Sequence, residues 1–284
     1  MKLSWASFCL DFSKKTYIMG VLNATPDSFS DGGRYFDRER AVDHAYRLIE
    51  DGADILDIGG ESTRPGSEPV PVDEEIRRTV PVIEAVARKI TVPLSIDTRK
   101  AEVARRALDA GASMVNDISG LRFDPAMPEV VAAARVPVVL MHIKGKPEDM
   151  QQHPVYEALI PEIMDYLRTG IRIAGDAGIP EEMVLIDPGI GFGKTFDHNL
   201  EILNRLREFS GLGRPIVMGV SRKAFIGKIL DNAPAAERVE GTAAAVAISI
   251  ANGAHIVRVH DVKEMAKVAK VADAITRMRM PVTA

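Results

Sequence analysis

Eight short runs rich in valine and isoleucine recur along this chain and restrict its fold more than any other feature. Each run is almost continuously apolar, which is typical of parallel strands that are covered on both faces. The runs are residues 17–23, 54–60, 93–98, 113–119, 137–142, 183–189, 215–221 and 255–261. Stretches with a helical period of apolar residues separate them, as at Ala41, Ala45 and Leu48. Strands and helices therefore alternate along the chain.

This alternation predicts an α/β protein built around a parallel sheet. Eight repeats are the number that closes such a sheet into a barrel, and a length of 284 residues suits that fold. We predict a parallel (β/α)8 TIM barrel that forms a single domain over residues 1–284, with residues 1–16 as an N-terminal extension that includes a strand. A doubly wound open sheet is the alternative, and the first run lacks the GxGxxG motif that would favour it.

Charge and apolar patterning restrict the class of protein. The 36 basic and 40 acidic residues are interspersed, so no basic stripe favours a nucleic-acid partner. No apolar run reaches the roughly 18 residues that a membrane span needs, and the start of the chain lacks a signal peptide. These features predict a cytoplasmic protein without a membrane partner. The lone cysteine, Cys9, is expected as a small side chain in an N-terminal strand rather than a nucleophile.

Two connections are unusually long for loops that follow strands in such a fold. Residues 24–35 and 61–71 are rich in Gly, Pro and Ser and have no helical pattern. They are either disordered surface loops or mobile lids over a site. We predict lids, because both segments follow the carboxyl ends of strands.

Polar side chains gather at those carboxyl ends, where the active site of a TIM barrel lies. Each one alone is typical of a cap or a turn, but burying so many would be costly unless they faced one another or a ligand. We therefore predict a functional site at this end. The residues are Asn23, Glu61 to Arg64, Asp97, Asn116, His142, Asp187, Ser221 to Lys223, Arg258 and His260.

The residue types divide into two chemical sets. The first set can carry positive charge and suits a phosphate or a diphosphate; it consists of Arg64, Lys223, Arg258 and His260. Asn23 and the hydroxyl of Thr63 could add a Mg²⁺ ligand and a phosphate contact, because Mg²⁺ needs few protein ligands when a diphosphate supplies the others.

The second set is Asp97, Asn116 and Asp187, which suits a flat heterocycle with an amidine-like edge. The run DPGIGFGK (187–194) could place Phe192 near that ring, and its spacing is not that of a P-loop. Glu61 is either a base or a structural partner for a neighbouring loop.

Seven motifs occur in order at matching strands, and the resemblance that they carry runs over essentially residues 17–278. They are NATPDSFSDGG (23–33), DIGGESTRPG (57–66), SIDT, NDISG, DPGIGFGK, SRK and RVHD. On these motifs the chain resembles the bacterial dihydropteroate synthases. The resemblance implies a transferase of folate biosynthesis that joins 6-hydroxymethyl-7,8-dihydropterin diphosphate to p-aminobenzoate. The products would be 7,8-dihydropteroate and pyrophosphate, and sulfonamides would compete with p-aminobenzoate.

The resemblance also implies a role for each matching residue. Asn23 would hold Mg²⁺, the expected cofactor. Diphosphate ligands would be Thr63, Arg64, Arg258 and His260. The residues around the pterin would be Asp97, Asn116, Asp187 and Lys223, with Asp97 and Lys223 as the catalytic pair. Ser221 would lie near the carboxylate of p-aminobenzoate, with Phe29 and Pro65 closing over its ring.

Family members are typically homodimers that associate through their last helices, and the small residues at 243–253 are compatible with such an interface or with packing on the barrel. One position departs from the family, because Lys144 stands where a Gln is frequent. It would either bind an anion near the pterin or point to solvent. Rival interpretations are a pterin-dependent methyltransferase to a corrinoid, a non-catalytic pterin-binding paralogue and a purely structural barrel.

Overall fold

The chain begins with a small antiparallel hairpin of β1 (Lys2–Trp5) and β2 (Phe8–Asp11). A computed structural model of the protein describes residues 1–24, 34–63 and 66–278, with side chains from residue 38 onward in the second range. Cys9 lies in β2, as predicted, and its side chain is exposed near the Ser4 hydroxyl. The hairpin is the strand-bearing N-terminal extension that the sequence predicts.

Eight parallel strands follow within the described residues. They are β3 (Tyr17–Asn23), β4 (Ile55–Gly59), β5 (Leu94–Asp97), β6 (Met114–Asp117), β7 (Val138–Met141), β8 (Val184–Asp187), β9 (Val217–Met218) and β10 (Ile256–Val259). Their order in the sheet is β8-β7-β6-β5-β4-β3-β10-β9. A parallel bridge between Ile186 and Ile216 joins the two end strands, so the sheet closes. The predicted TIM barrel is confirmed, and the doubly wound alternative is wrong.

Helices surround the barrel and pack their apolar faces on it. They are α1 (Arg34–Glu50), α2 (Val72–Ala87), α3 (Ala101–Asp109), α4 (Met127–Ala134), α5 (Leu159–Asp176), α6 (Phe196–Asn204), α7 (Ala224–Ile229), α8 (Val239–Ala251) and α9 (Val262–Arg277). The predicted apolar stripes are buried, for example Val103, Ala104 and Ala107 on α3. Among the helices that the structure describes, none combines the length and the apolar character that a membrane span requires.

The inward positions of the strands change from apolar to polar along the barrel axis. Because side chains alternate between the two faces of a strand, residues two apart share the interior. On four strands an apolar inward residue precedes a polar one, in the pairs Ile55 and Asp57, Met114 and Asn116, Leu185 and Asp187, and Ile256 and Arg258. The lower half of the interior is therefore an apolar core, and the upper half is polar.

The hairpin closes the lower end of the barrel. Its buried side chains Leu3, Trp5 and Leu10 join the apolar inward residues in one cluster. The indole Nε1 of Trp5 donates a hydrogen bond of 2.7 Å to the backbone oxygen of Ser113. In the described part of the chain the lower half is thereby filled, and the polar half faces the carboxyl ends of the strands.

We expect Trp5→Ala to destabilise the fold by about 3–5 kcal/mol, because it empties a large site in the sealed core. Urea unfolding followed by circular dichroism measures the loss. Cys9→Ser on the exposed side of the same hairpin is the control and should change the free energy of unfolding by less than about 0.5 kcal/mol. Equal stabilities for the two variants would show that the hairpin does not contribute to the core.

Candidate functional site

The centre of the polar half is an arginine held between two carboxylates. Arg258 Nε donates to Asp57 Oδ2 at 2.6 Å, and its Nη2 donates to Asp97 Oδ2 at 2.7 Å. Asn116 Nδ2 donates to the same Asp57 oxygen at 3.0 Å. The sequence-based division placed Arg258 with the anion ligands, yet the structure bonds it to the carboxylate set. The two sets therefore meet at this side chain.

Burial controls the ionisation of this group. It raises the pKa of Asp97 to about 7, although the positive charge of Arg258 opposes the rise. The negative charges of Asp57 and Glu75 raise it further. Burial alone would lower the pKa of Arg258, but the two carboxylates outweigh it and hold the pKa above its usual range. Arg258 stays charged, and Asp97 titrates near neutral pH.

Asp187 and Lys223 form the other side of the polar centre. Asp187 Oδ1 accepts a hydrogen bond of 2.7 Å from the backbone N–H of Gly189. Burial raises the pKa of Asp187 to about 6, against that N–H and the charge of Lys223. Burial, together with the charge of Arg258, lowers the pKa of Lys223 to about 8. The Lys223 ammonium lies 4.2 Å from the ring centroid of Phe192, so the structure brings these three predicted residues together.

His260 is a neutral side chain rather than a cation. Burial and the charges of Arg258 and Arg222 lower its pKa to about 3. Its backbone N–H donates to Ser221 Oγ at 3.2 Å, and its Nδ1 lies 3.0 Å from the same oxygen. The Ser221 hydroxyl and Nδ1 share this hydrogen bond, and a neutral imidazole keeps one ring N–H as a donor. The expectation that His260 becomes cationic is wrong near neutral pH, and its ring is a hydrogen-bond donor.

The run at 187–194 takes its shape from its glycines. Gly189 and Gly193 have φ of +73° and +64°, and a Cβ on them would lie 1.9 and 2.3 Å from the backbone oxygens of His142 and Lys144. Only a residue without a Cβ fits so close to another backbone. This approach brings Phe192 to the polar centre.

A buried lysine fixes the end of this run, and the sequence analysis did not identify it. Lys194 is 2% exposed, and its Nζ donates to the Phe192 backbone oxygen at 2.9 Å. The same Nζ lies 2.8 Å from His142 Nδ1. Burial lowers the pKa values of both side chains well below their usual ranges. His142 was predicted among the site residues, and the structure places it behind the run as a partner for Lys194.

Asp57 is the second residue that the sequence analysis did not identify. It is fully buried, and its inward position is two residues after Ile55 on β4. Counting alternate positions back from the carboxyl end of each strand would have found it. Glu61 is a structural partner of the second loop, because its carboxylate accepts hydrogen bonds from the Val70 backbone N–H at 3.1 Å and from Lys100 at 2.8 Å.

Lys144 belongs to a surface cluster and not to the polar centre. Its amine lies 4.0 Å from the ring centroid of Tyr156 and 3.3 Å from Glu162 Oε2. Of the two expected placements the structure therefore favours the solvent-facing one, where Lys144 is paired with Glu162 at the surface.

Asn23 and Thr63 lie at the open end, and three predicted residues fall outside the described ranges. Asn23 ends β3 in register with Gly59, and Thr63 is half-buried at the start of the second loop. Phe29, Arg64 and Pro65 are not described, nor are residues 25–33 of the first predicted lid. Over the described ranges, no group of three or more His, Cys, Asp or Glu side chains is arranged to hold a metal ion.

Comparisons with known proteins place this chain among sequence relatives of one family. The model of the family described as "Pterin binding enzyme" matches residues 19–260. The dihydropteroate synthase of Synechocystis sp. is 50% identical over 267 residues, which is 94% of this chain and 92% of the relative. That of Bacillus subtilis is 50% identical over 266 residues, with 94% and 90% coverage.

Solved structures are similar in fold and sequence. Yersinia pestis dihydropteroate synthase in a sulfonamide drug complex has a TM-score of 0.92 at 42% identity, covering 98% of this chain and 100% of that one. The Xanthomonas albilineans enzyme with 4-aminobenzoic acid has a TM-score of 0.90 at 44% identity, covering 96% and 97%. The latter enzyme in complex with 7,8-dihydropteroate has a TM-score of 0.87 at 42% identity, covering 97% and 98%.

We expect Gly189→Ala to lower the free energy of unfolding much more than Gly178→Ala does. Both glycines have positive φ, but a Cβ at Gly178 meets nothing within 4 Å. Gly178→Ala should therefore cost only backbone strain of about 1–2 kcal/mol, whereas Gly189→Ala also forces two backbones apart. Chemical denaturation of both variants measures the difference. Equal losses would contradict the proposed close approach.

Proposed function

Because this chain belongs to the pterin binding enzyme family, as one of its dihydropteroate synthases, we propose that its polar centre transfers a pterin methylene group from diphosphate to p-aminobenzoate. The chain is a transferase, and its product is 7,8-dihydropteroate. The identity of the leaving group, the metal and the role of each residue are parts of the proposal.

One observation carries the assignment of the centre, namely that two largely buried carboxylates, Asp97 and Asp187, both act on the cation Lys223. Asp187 is held by a backbone N–H at one oxygen, and this geometry suits an amidine-like ring edge. Asp97, at the end of β5, is bonded to Arg258. A pterin between them would meet negative charge on its ring, and a diphosphate near Arg258 and Lys223 would meet positive charge.

The donor groups fit Mg²⁺ that arrives with the diphosphate. In the ranges that the structure describes, no cluster of carboxylates or histidines would hold the ion alone, and Asn23 offers an amide oxygen at the open end. Mg²⁺ often takes one or two protein ligands when phosphate oxygens supply others. Bound there, it would neutralise charge on the leaving diphosphate.

In the proposed reaction, the bond between the pterin methylene carbon and the diphosphate oxygen breaks with its electron pair leaving on oxygen. The ring shares the resulting positive charge, which Asp97 and Asp187 stabilise. The amine nitrogen of p-aminobenzoate then forms the new bond to the methylene carbon and releases one proton. Arg258, Lys223 and the side chain of His260 hold the departing diphosphate.

The aryl substrate would bind at the mouth of the barrel. Ser221 lies there, beside His260. The two predicted lids, with Thr63, Arg64, Pro65 and Phe29, would close over it and exclude water, which otherwise competes with the amine. Sulfonamides would compete for the same place, in line with the drug complex of the Yersinia pestis relative.

A homodimer is part of the proposal. The exposed apolar side chains Ile248 on α8 and Val271 and Ile275 on α9 are 50%, 60% and 71% accessible. These two helices contain the small-residue run and the last apolar stripe, and apolar residues exposed together suit a second copy of this chain. The cytoplasmic location stays a prediction.

We expect pyrophosphate release only when the protein is given 6-hydroxymethyl-7,8-dihydropterin diphosphate, Mg²⁺ and p-aminobenzoate together. Each component is omitted in turn, and 7,8-dihydropteroate is measured by chromatography as the coproduct. A sulfonamide should raise the KM for p-aminobenzoate and leave kcat unchanged. Tight binding of the pterin diphosphate without turnover would instead favour the non-catalytic paralogue.

The ionisation of Asp97 predicts a pH dependence. Because its pKa is about 7 and the charged form stabilises the pterin cation, kcat/KM should fall as the pH drops through about 7. Asp97→Asn should lower kcat by about 100-fold or more and remove this limb of the profile. A pH–rate series on both proteins tests it, and unchanged turnover of the variant would contradict the mechanism.

A further inference from the structure

Asp57 on β4 connects two side chains that come from two other strands of the barrel. It is fully buried on β4, and the strands of Arg258 and Asn116 are each two positions away, on opposite sides of β4. Its Oδ2 accepts hydrogen bonds from both side chains, at 2.6 and 3.0 Å. Its Oδ1 has no hydrogen-bond partner among the described residues. One carboxylate oxygen therefore joins two side chains that the sequence separates widely.

Resting on the proposed function, we propose that Asp57 is a positioning residue that holds Arg258 and Asn116 as one preformed unit for the pterin and its leaving group. Asp57 acts through these two side chains and not by contact with the substrate. Asp57 begins the second motif, DIGGESTRPG (57–66), but none of the roles that the resemblance implies is assigned to it.

The bond to Arg258 sets the place of a long and flexible side chain. A free arginine would lose roughly 2 kcal/mol of conformational entropy on being ordered by a ligand. With Asp57 on Nε and Asp97 on Nη2, that ordering is complete before the substrate binds. The guanidinium therefore meets the charge that develops in the reaction without first having to be ordered.

The bond to Asn116 sets which end of its amide faces the pocket. An ionised carboxylate can only accept hydrogen bonds, so the amide must turn its NH₂ group toward Asp57. The carbonyl oxygen of Asn116 then points the other way, as an acceptor for an N–H of the ligand. Asp57 thus determines that Asn116 recognises a donor, which suits a ring bearing N–H groups.

Steady-state kinetics of Asp57→Asn test this role, with Ser95→Ala as the matched control. Ser95 is also inward and buried, pairs in register with Asp57, and makes no hydrogen bond to Arg258. We expect Asp57→Asn to lower kcat/KM for the pterin diphosphate by about 10- to 100-fold, and Ser95→Ala to leave it unchanged. The KM for p-aminobenzoate should be unchanged in both variants. Equal effects of the two variants would overturn the proposal.

A double-mutant cycle separates positioning from general stability. If Asp57 acts partly through Arg258, then Asp57→Asn should cost much less activity in an Arg258→Met background than in the parent protein. Full additivity of the two substitutions would overturn the proposal. Unfolding curves measured on every variant show whether activity is lost through the fold.

The pH profile of kcat/KM distinguishes positioning from a purely structural role, because a loss of stability alone would not shift its acid limb. The charged groups that face Asp97 are Arg258 on β10, Asp57 on β4, Glu75 on α2, Asp117 on β6 and Lys223 after β9. Removing the Asp57 charge takes away a repulsion, so the acid limb of kcat/KM should move to lower pH. In Ser95→Ala the limb should stay in place, and an unmoved limb in Asp57→Asn would contradict the inference.

A replacement variant and a binding measurement complete the experiment. If Asp57→Asn does not fold, Asp57→Ser replaces it, because the neighbouring Ser95 shows that this layer accommodates a buried serine. Calorimetric binding of 7,8-dihydropteroate separates the two proposals. An inactive parent protein whose binding is weakened by Asp57→Asn would refute the function and keep the positioning role. An active parent with unaffected binding and kinetics in the variant would refute the positioning role alone.

Discussion

In a closed barrel of parallel strands, only every second side chain reaches the interior, and the rest of this structure depends on that constraint. Each strand of four residues has room for about two inward side chains. In this chain the lower inward residue is apolar on four strands, and the upper one is Asp57, Asn116, Asp187 or Arg258. The same short strands therefore supply an apolar core at one level of the barrel and a site for a polar ligand at the level above it.

Placing charged groups in such an interior is unfavourable unless they neutralise one another. Arg258 bonds to two carboxylates, and Asp187 accepts from a backbone N–H. Neutralisation is incomplete, and the pKa values show it. Burial shifts the pKa values of Asp97, Asp187 and Lys223 toward neutral pH. The same burial that destabilises these charges makes them effective on a substrate, since little water screens them.

Much of the fold was predictable because short stretches of the sequence determine its strands and helices. The eight apolar runs match the eight strands, and the helical stripes match buried faces. The rule that TIM-barrel sites lie at strand carboxyl ends also located the polar centre, and residues such as Asp97, Asp187 and Lys223 do meet there. Motifs in register then identified the family. These predictions needed only periodicity, residue type and order along the chain.

What escaped prediction depends on contacts between distant segments. The bond between Asp57 and Arg258 joins residues 201 positions apart, and no local pattern reports it. The neutral state of His260 follows from burial beside Arg258, and the pairing of Lys194 with His142 follows from the path of the glycine run. The role of Lys144 stayed open for the same reason, because its partner Glu162 lies on a different element. Residue type suggests a chemistry, but three-dimensional neighbours decide its charge and direction.

The hairpin that seals the lower end of the barrel also bears on the order in which the two substrates would bind. With Trp5 and its neighbours filling that end, the polar half of the described barrel faces the carboxyl ends of the strands. On the proposed function, the pterin beside Asn116 and Asp187 would lie lower along the barrel axis than p-aminobenzoate at Ser221, since Ser221 follows the end of its strand. The pterin would therefore enter first and p-aminobenzoate second.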